Sequence, residues 1–236
     1  MNWTKNQKKI RRRLLELIYQ DALSHIGSSM SVIDIIDIIY KIKKSEEKFV
    51  LSNGHAAAAL YTILEKNGQI KNPKIKSLGV HPDRSTCKNI DVSTGSLGQG
   101  LTVATGMALA DKDNRVFCLV SDGECAEGSI WEAIRFIYDE KITNLYLIVS
   151  VNGWGAYGKV LKRDVVKRLR GFTSKMQIID GHNQEEIERV LTEKQTIPTI
   201  ILAKTTSEQM PFLSGLDAHY YTMKENDYKL AMSLLK

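Results

Sequence analysis

Five short runs rich in Val, Ile, Leu and aromatic residues constrain the chain most: KFVLS (48–52), RVFCLVS (115–121), LYLIVSV (145–151), MQIID (176–180) and TIPTIILAK (196–204). A strand with one wet face alternates apolar and polar side chains, whereas a nearly continuous apolar strand is covered on both faces. The intervening segments have helical length and period. An amphipathic helix is expected over 4–23, with Ile10, Leu14, Leu17, Ile18 and Ala22 on one face and Lys and Arg opposite. A second is expected after Ser31, in SVIDIIDIIYKI, despite its many β-branched residues. Further helices are expected over 56–68, 98–112, 129–141, 183–194 and 224–236. This alternation predicts an α/β fold: a mainly parallel sheet with helices on both faces, joined by right-handed crossovers. The 236 residues show no internal repeat and no linker, so one domain over 1–236 is expected.

Composition narrows the function classes. The formal charge is +6, but the basic residues gather in KNQKKIRRR and KVLKRDVVKRLRG without interleaved aromatics. That pattern reads as solvated helix faces or attraction for anionic metabolites, and no nucleic-acid partner is expected. No apolar run reaches the roughly 18 residues of a membrane span, so no membrane partner is expected either. Cys87, Cys118 and Cys125 are too few and too irregularly spaced for a disulfide framework or a four-cysteine zinc site. They read as thiols of a cytoplasmic protein, and the basic, amphipathic N-terminus lacks the form of a secretory signal.

In parallel α/β folds ligands bind at the carboxyl ends of the strands. There the chain places Ser52-Asn53-Gly54-His55, Ser121-Asp122-Gly123, Val151-Asn152-Gly153 and Asp180-Gly181-His182. Asp122 and Asn152 stand 30 residues apart, each at the end of an apolar run, with one helix between them. If the two strands are neighbours, an acid, an amide and a nearby backbone carbonyl face one point. Such hard donors suit Mg²⁺ or Ca²⁺, with water and phosphate oxygens completing the shell. Gly123 and Gly153 allow close backbone approach, and STGSLGQG offers a small-residue loop at a helix start suited to phosphate. Asp-Gly and Asn-Gly are also ordinary turn dipeptides, so the spacing alone leaves a generic nucleotide or phosphate site open.

Six segments in order carry a resemblance to the N-terminal, diphosphate-binding half of transketolases. SHIGSSMSVIDII resembles the family's Ser-Gly-His-Pro-Gly segment, and FVLSNGHAAAALYTIL is nearly its pattern as it stands. GVHPD is similar to Gly-His-Pro-Glu, and VSTGSLGQGLTVATGMALA to the Thr-Thr-Gly-Pro-Leu-Gly-Gln-Gly helix start. SDGECAEG and then VNGWGAYG resemble the thiamine diphosphate motif. The chain departs from the family pattern at Ser121, Ile26 and Ser96, and TTSEQMPFLSG lacks the usual Lys-Gly-Lys-Gly.

The resemblance implies that thiamine diphosphate is the cofactor. Asp122, Asn152 and the carbonyl of Trp154 would hold Mg²⁺, or Ca²⁺ or Mn²⁺ in its place, and Gly123 would lie against the diphosphate. Gly95 and Leu97 match cofactor-contacting backbone. His25, His55, His81 and His219 match active-site histidines, with His55 and His219 also touching the cofactor, and Glu127 matches an acid that links two active sites across a dimer interface. The implied reaction transfers a two-carbon ketol unit from a ketose to an aldose, with imidazoles serving the sugar hydroxyls. His182 matches a turn at a helix start, and Glu124 matches no assigned role. The resemblance also implies a pyrimidine-binding domain on a separate chain, two copies of each chain together, and a phosphorylated or nucleotide-linked sugar substrate. The alternatives are a specialised carboligase for an unusual or nucleotide-linked sugar and a noncatalytic regulatory paralogue.

Overall fold

The computed structural model describes residues 2–173 and 175–236. Helices α1 (Lys5–Gln20) and α2 (Ile26–Ile42) lead into strand β1 (Lys48–Leu51), then helices α3 (Ala57–Lys66), α4 (Ile75–Leu78) and α5 (Gln99–Ala110). Strand β2 (Val116–Ser121), helix α6 (Gly128–Asp139) and strand β3 (Leu145–Val151) follow, and then a hairpin of β4 (Trp154–Gly155) and β5 (Gly158–Lys159). The chain continues through α7 (Lys162–Arg170), β6 (Met176–Asp180), α8 (Gln184–Thr192), β7 (Ile200–Lys204), α9 (Asp217–Tyr220) and α10 (Glu225–Leu234).

The five long strands form one parallel sheet in the order β1-β2-β3-β7-β6. In β1, β2, β3 and β7 alternate side chains feed opposite cores, which is why those runs are nearly all apolar, whereas β6, at the sheet edge, buries Ile179 and leaves Ile178 exposed. Phe49, Leu51, Phe117 and Leu119 pack with α1, α2, α3, α8 and α10. Val50, Val116, Cys118 and Val120 pack with α5, α6 and α7. Helices on both faces of a parallel sheet are therefore what the chain forms. Among the described residues no helix is long and apolar enough to cross a membrane.

The expected strands agree with the observed ones except the last, which begins at Ile200 because Pro198 and its neighbours stay in the preceding loop. Helix α1 starts at a capping box in which Thr4 and Gln7 exchange hydrogen bonds. Helix α2 starts at Ile26, earlier than expected. Every residue from Ile26 to Ile39 is buried, so this helix is enclosed all round and its β-branched residues are held by packing rather than propensity. His25 caps it in the left-handed region, φ 62°, with its N–H donating to the His219 carbonyl at 2.9 Å. The basic segment KVLKRDVVKRLRG supplies α7 from Lys162 to Arg170, burying Val165 and Leu169 beneath a solvated basic face.

One charged cluster lies inside the molecule. Arg11 and Asp34, both 0% exposed, pair between α1 and α2, and Gln7 Nε2 donates to Asp34 Oδ1 at 3.1 Å. His182 Nδ1 lies 2.9 Å from Asp34 Oδ2, and Thr206 N donates to His182 Nε2 at 3.2 Å. Arg11 Nε donates to Gln209 Oε1 at 3.0 Å. The cluster thus anchors the segment after β7 to the helices. Helix α8 is capped by Asn183, whose side chain accepts from Glu185 N and Glu186 N. His182 sits at that turn but faces Asp34.

Candidate active site

Strands β2 and β3 are hydrogen-bonded neighbours, with Ser121 opposite Ser150. Asp122 and Asn152 therefore leave the sheet side by side. Asp122 is 1% exposed, and its carboxylate accepts from Gly153 N at 2.7 Å and Gly123 N at 3.1 Å. Burial pushes its carboxyl up to about 6, outweighing those two donors and the charge of Lys162. Asn152 Oδ1 accepts from Trp154 N at 2.8 Å.

Gly123 opens a short 3₁₀ turn, Gly123–Ala126. A Cβ there would lie 3.2 Å from Gly155 Cα and 4.0 Å from the Trp154 carbonyl oxygen. The two strand ends thus approach so closely that glycine is the residue that fits without a shift. Above them a cleft is lined by His55, Leu97, Gly123, Asn152, Trp154 and His219, together with serines of α2.

The cleft suits a cation and an anionic cofactor on three observations. Asp122 is a buried carboxylate without a cationic hydrogen-bond partner, and the amide and carbonyl beside it are oxygen donors of the hard type. Asn53, 1% exposed on the same cleft, has an Oδ1 without a hydrogen-bond partner. Among the described residues no group of three His, Cys, Asp or Glu side chains is placed to hold a metal ion.

Three histidines meet over the cleft from distant parts of the chain. Ring centroids lie 5.3 Å apart for His25 and His55, 4.7 Å for His25 and His219, and 5.3 Å for His55 and His219. Burial first, then the charge of the other imidazoles, lowers His25 to about 4 and His55 to about 3, and burial lowers His219 as well. At neutral pH the rings of His25 and His55 are uncharged, so each presents one N–H donor and one lone-pair acceptor to a ligand. A ¹H–¹⁵N titration of the ring nitrogens should show both neutral at pH 6. Because their folded values lie below that of an unfolded histidine, about 6.5, stability should fall as pH drops below that point and continue falling towards pH 4. Imidazolium signals for both rings at pH 6 would contradict this.

The remaining expected residues lie farther out. His81 is exposed and its ring packs over Gly95, where φ is 153° and a Cβ would lie 3.1 Å from the imidazole. Glu127 is half-buried at the start of α6, its Cβ 2.9 Å from where a Cβ on Gly98 would stand. His25 touches His55 and His219 but is not part of the cleft lining.

Glu124, which motif comparison leaves without a role, is 0% exposed. Its carboxylate accepts from Ser52 Oγ at 2.6 Å, Gly98 N at 3.0 Å and Ser121 N at 2.9 Å. It ties the ends of β1 and β2 to the glycine-rich loop that carries Leu97. Its signal in the sequence was an acid in a turn between two apolar segments, which does not say what donates to it. Tyr220 was also missed: its hydroxyl donates to the Ala156 carbonyl at 2.8 Å, joining the β4–β5 hairpin to the segment carrying His219.

Known proteins resemble this chain over most of its length. The family model for the transketolase thiamine diphosphate binding domain matches residues 4–233. The chain is 38% identical over 175 aligned positions to transketolase of Pongo abelii, covering 67% of this chain and 28% of that protein. It is 30% identical over 257 aligned positions to 6-deoxy-6-sulfo-D-fructose transketolase subunit SqwG of Clostridium sp. (strain MSTE9), covering 96% of this chain and 94% of that protein. In structure it is similar to transketolase from Campylobacter jejuni, with a TM-score of 0.87 and 27% identity over 100% of this chain and 43% of that chain. The chain spans 28% of the length of the Pongo abelii transketolase and 33% of that of Transketolase-like protein 2 of Bos taurus, to which it is 34% identical over 77% of this chain.

Proposed function

The chain belongs to the transketolase thiamine diphosphate-binding domain family, and from that premise we propose that it is the diphosphate-binding subunit of a transketolase-like transferase. The reaction is transfer of a two-carbon ketol unit from a ketose to an aldose. The observation that carries this reading is the meeting of Asp122, Asn152 and the Trp154 segment at the foot of a cleft overlooked by His25, His55 and His219.

In this reading residues 1–236 form one diphosphate-binding domain, and a second chain carries the pyrimidine-binding domain, with two copies of each in the assembly. The similarity to SqwG, named a subunit and covered over 94% of its length, supports a two-chain enzyme. That relative is named for a sulfonated ketose, which favours an unusual anionic sugar as the donor over an ordinary one. The three buried, unpaired cysteines are in keeping with a cytoplasmic location.

Asp122, the Asn152 amide oxygen and the Trp154 carbonyl would hold Mg²⁺, and Gly123 would face the diphosphate. Bound thiamine diphosphate supplies the carbanion chemistry that breaks and forms the carbon–carbon bond. The chain's own residues do the rest. Leu97 would abut the cofactor, with Gly95 keeping its loop close. The neutral imidazoles of His25, His55 and His219 would hydrogen-bond substrate hydroxyls and accept protons from them, while their enclosure limits water. His81 would act from the rim, and Glu127 would face the partner copy.

Isothermal titration of the two-chain enzyme with thiamine diphosphate should show binding that requires Mg²⁺ and is lost with EDTA. Absence of binding in both conditions would remove the reading. A chain of transketolase pyrimidine-domain pattern should co-purify as the second subunit.

A further inference from the structure

Asn152 carries two chemically different ends. A cation can be held by the carbonyl oxygen Oδ1, whereas Nδ2 carries two protons and cannot serve. Something must therefore decide which end faces the Asp122 side.

Trp154 N, which can only donate, fixes one end by donating to Oδ1, and Ser31, one helical turn inside α2, fixes the other. Its Oγ donates to the Gly27 carbonyl at 2.8 Å, the four-residue back-bond of a buried helical serine. Asn152 Nδ2 donates to the same Oγ at 3.3 Å. A serine hydroxyl has one proton. With that proton on Gly27, Ser31 can only accept from Asn152, so the end of the amide facing α2 has to be Nδ2. Oδ1 is left at the turn where Trp154 N donates to it at 2.8 Å and Gly153 N donates to Asp122 Oδ2 at 2.7 Å. Both candidate ligand oxygens thus sit on consecutive N–H groups of one turn, and Oδ1 keeps a second lone pair.

The back-bond by itself is ordinary. Thr62 and Thr105 make it to Ala58 and Leu101, and neither hydroxyl receives a further side-chain hydrogen bond among the described residues. Ser31 differs in its second bond and its place, 1% exposed yet lining the cleft.

We propose that Ser31 is a positioning residue for the cation, holding the Asn152 amide so that Oδ1 joins the Asp122 and Trp154 donors. The proposal rests on the cation reading of the cleft given above, and its test separates the two. Mn²⁺ is titrated into the two-chain enzyme with thiamine diphosphate present, and free Mn²⁺ is followed by its paramagnetic resonance signal, without turnover.

Ser31→Ala should weaken Mn²⁺ binding about 10- to 100-fold, the range for loss of an outer-shell partner. Ser31→Thr, which keeps the hydroxyl, should restore most of that loss. Where the alanine variant fails to fold, Ser31→Cys keeps the volume, is a poor acceptor and should show the same weakening. Wild-type affinity in the alanine or cysteine variant overturns the positioning role and leaves the function reading standing. Weakening shared equally by the threonine variant assigns the effect to packing and also overturns it. A wild type that binds no Mn²⁺ overturns the function reading itself.

Discussion

Asp122→Asn is expected to abolish Mg²⁺-dependent thiamine diphosphate binding while making the ligand-free chain more stable at pH 8. The binding loss should be at least about 100-fold, since even outer-shell partners of a metal are worth about 10- to 100-fold in affinity. The gain in stability follows from the same burial that makes the residue useful. Asp122 titrates at about 6 in the folded chain against an ordinary 3.8, a difference that costs the charged, ligand-free state about 3 kcal/mol at neutral pH.

The sign follows from proton linkage. The folded state holds this proton more tightly than the unfolded state, so wild-type stability falls as pH rises from about 4 through about 6 and then levels. Asparagine does not titrate there. It can still accept from Gly153 N but presents N–H to Gly123 N, which takes back about 1 kcal/mol. The variant should therefore lead by about 2 kcal/mol at pH 8, and the lead should shrink towards pH 4. Urea denaturation at pH 4, 5, 6 and 8, with titration calorimetry at pH 8, checks both halves. A lead independent of pH would sink the burial argument, and retained binding would sink the cation role.

Arg11→Met should cost about 3 to 5 kcal/mol, because it leaves the Asp34 carboxylate buried without its guanidinium. Burial alone would raise Asp34, but hydrogen bonds from Arg11 and then His182 outweigh it and hold the carboxyl below its ordinary value. In the wild type this contributes stability above the unfolded carboxyl pKa that is lost as pH falls through the folded one. In the variant burial wins and the sign reverses, so the deficit should be widest at pH 8 and narrow in acid. Arg11→Met with Asp34→Leu should recover much of the loss, since an ion pair exchanged for apolar packing is often neutral.

The damage should also reach the site. Arg11 holds Gln209, and Gln209 donates to the Met30 and Thr206 carbonyls, so the segment leading to His219 loses an anchor. Chemical denaturation of the three forms decides the energetics. The His219 ring signals should broaden in Arg11→Met if the anchoring argument holds, and unchanged signals would refute it.

Strands β1, β2, β3 and β7 were legible because burial on both faces leaves a nearly uninterrupted apolar run that needs no partner to be recognised; β6, at the sheet edge, buries only Ile179. Asp122 and Asn152 were legible as a pair because each ends such a run, and adjacent parallel strands bring their ends together. The start of α2 was not legible: the five residues before Ser31 become helical through enclosure by the sheet and the 205–221 segment, which no local propensity encodes. Ser31 was accordingly read as a boundary, although its position inside the helix is what turns its hydroxyl towards Asn152. His182 was read as part of a helix start, but Asn183 makes the cap and the imidazole joins Asp34 across 148 residues.

By itself the sequence determined the layers: which segments are strands, that both faces are covered, and that acids, amides and glycines stand where parallel strands end. Those are consequences of side-chain period and burial, which are local. Family resemblance added the histidines by motif. Only the tertiary structure decided which groups share a hydrogen bond. Glu124 collects donors from Ser52, Gly98 and Ser121, and Asn152 is held between Trp154 N and a serine 121 residues away. Hydrogen bonds act over about 3 Å, and at that range sequence separation carries no information.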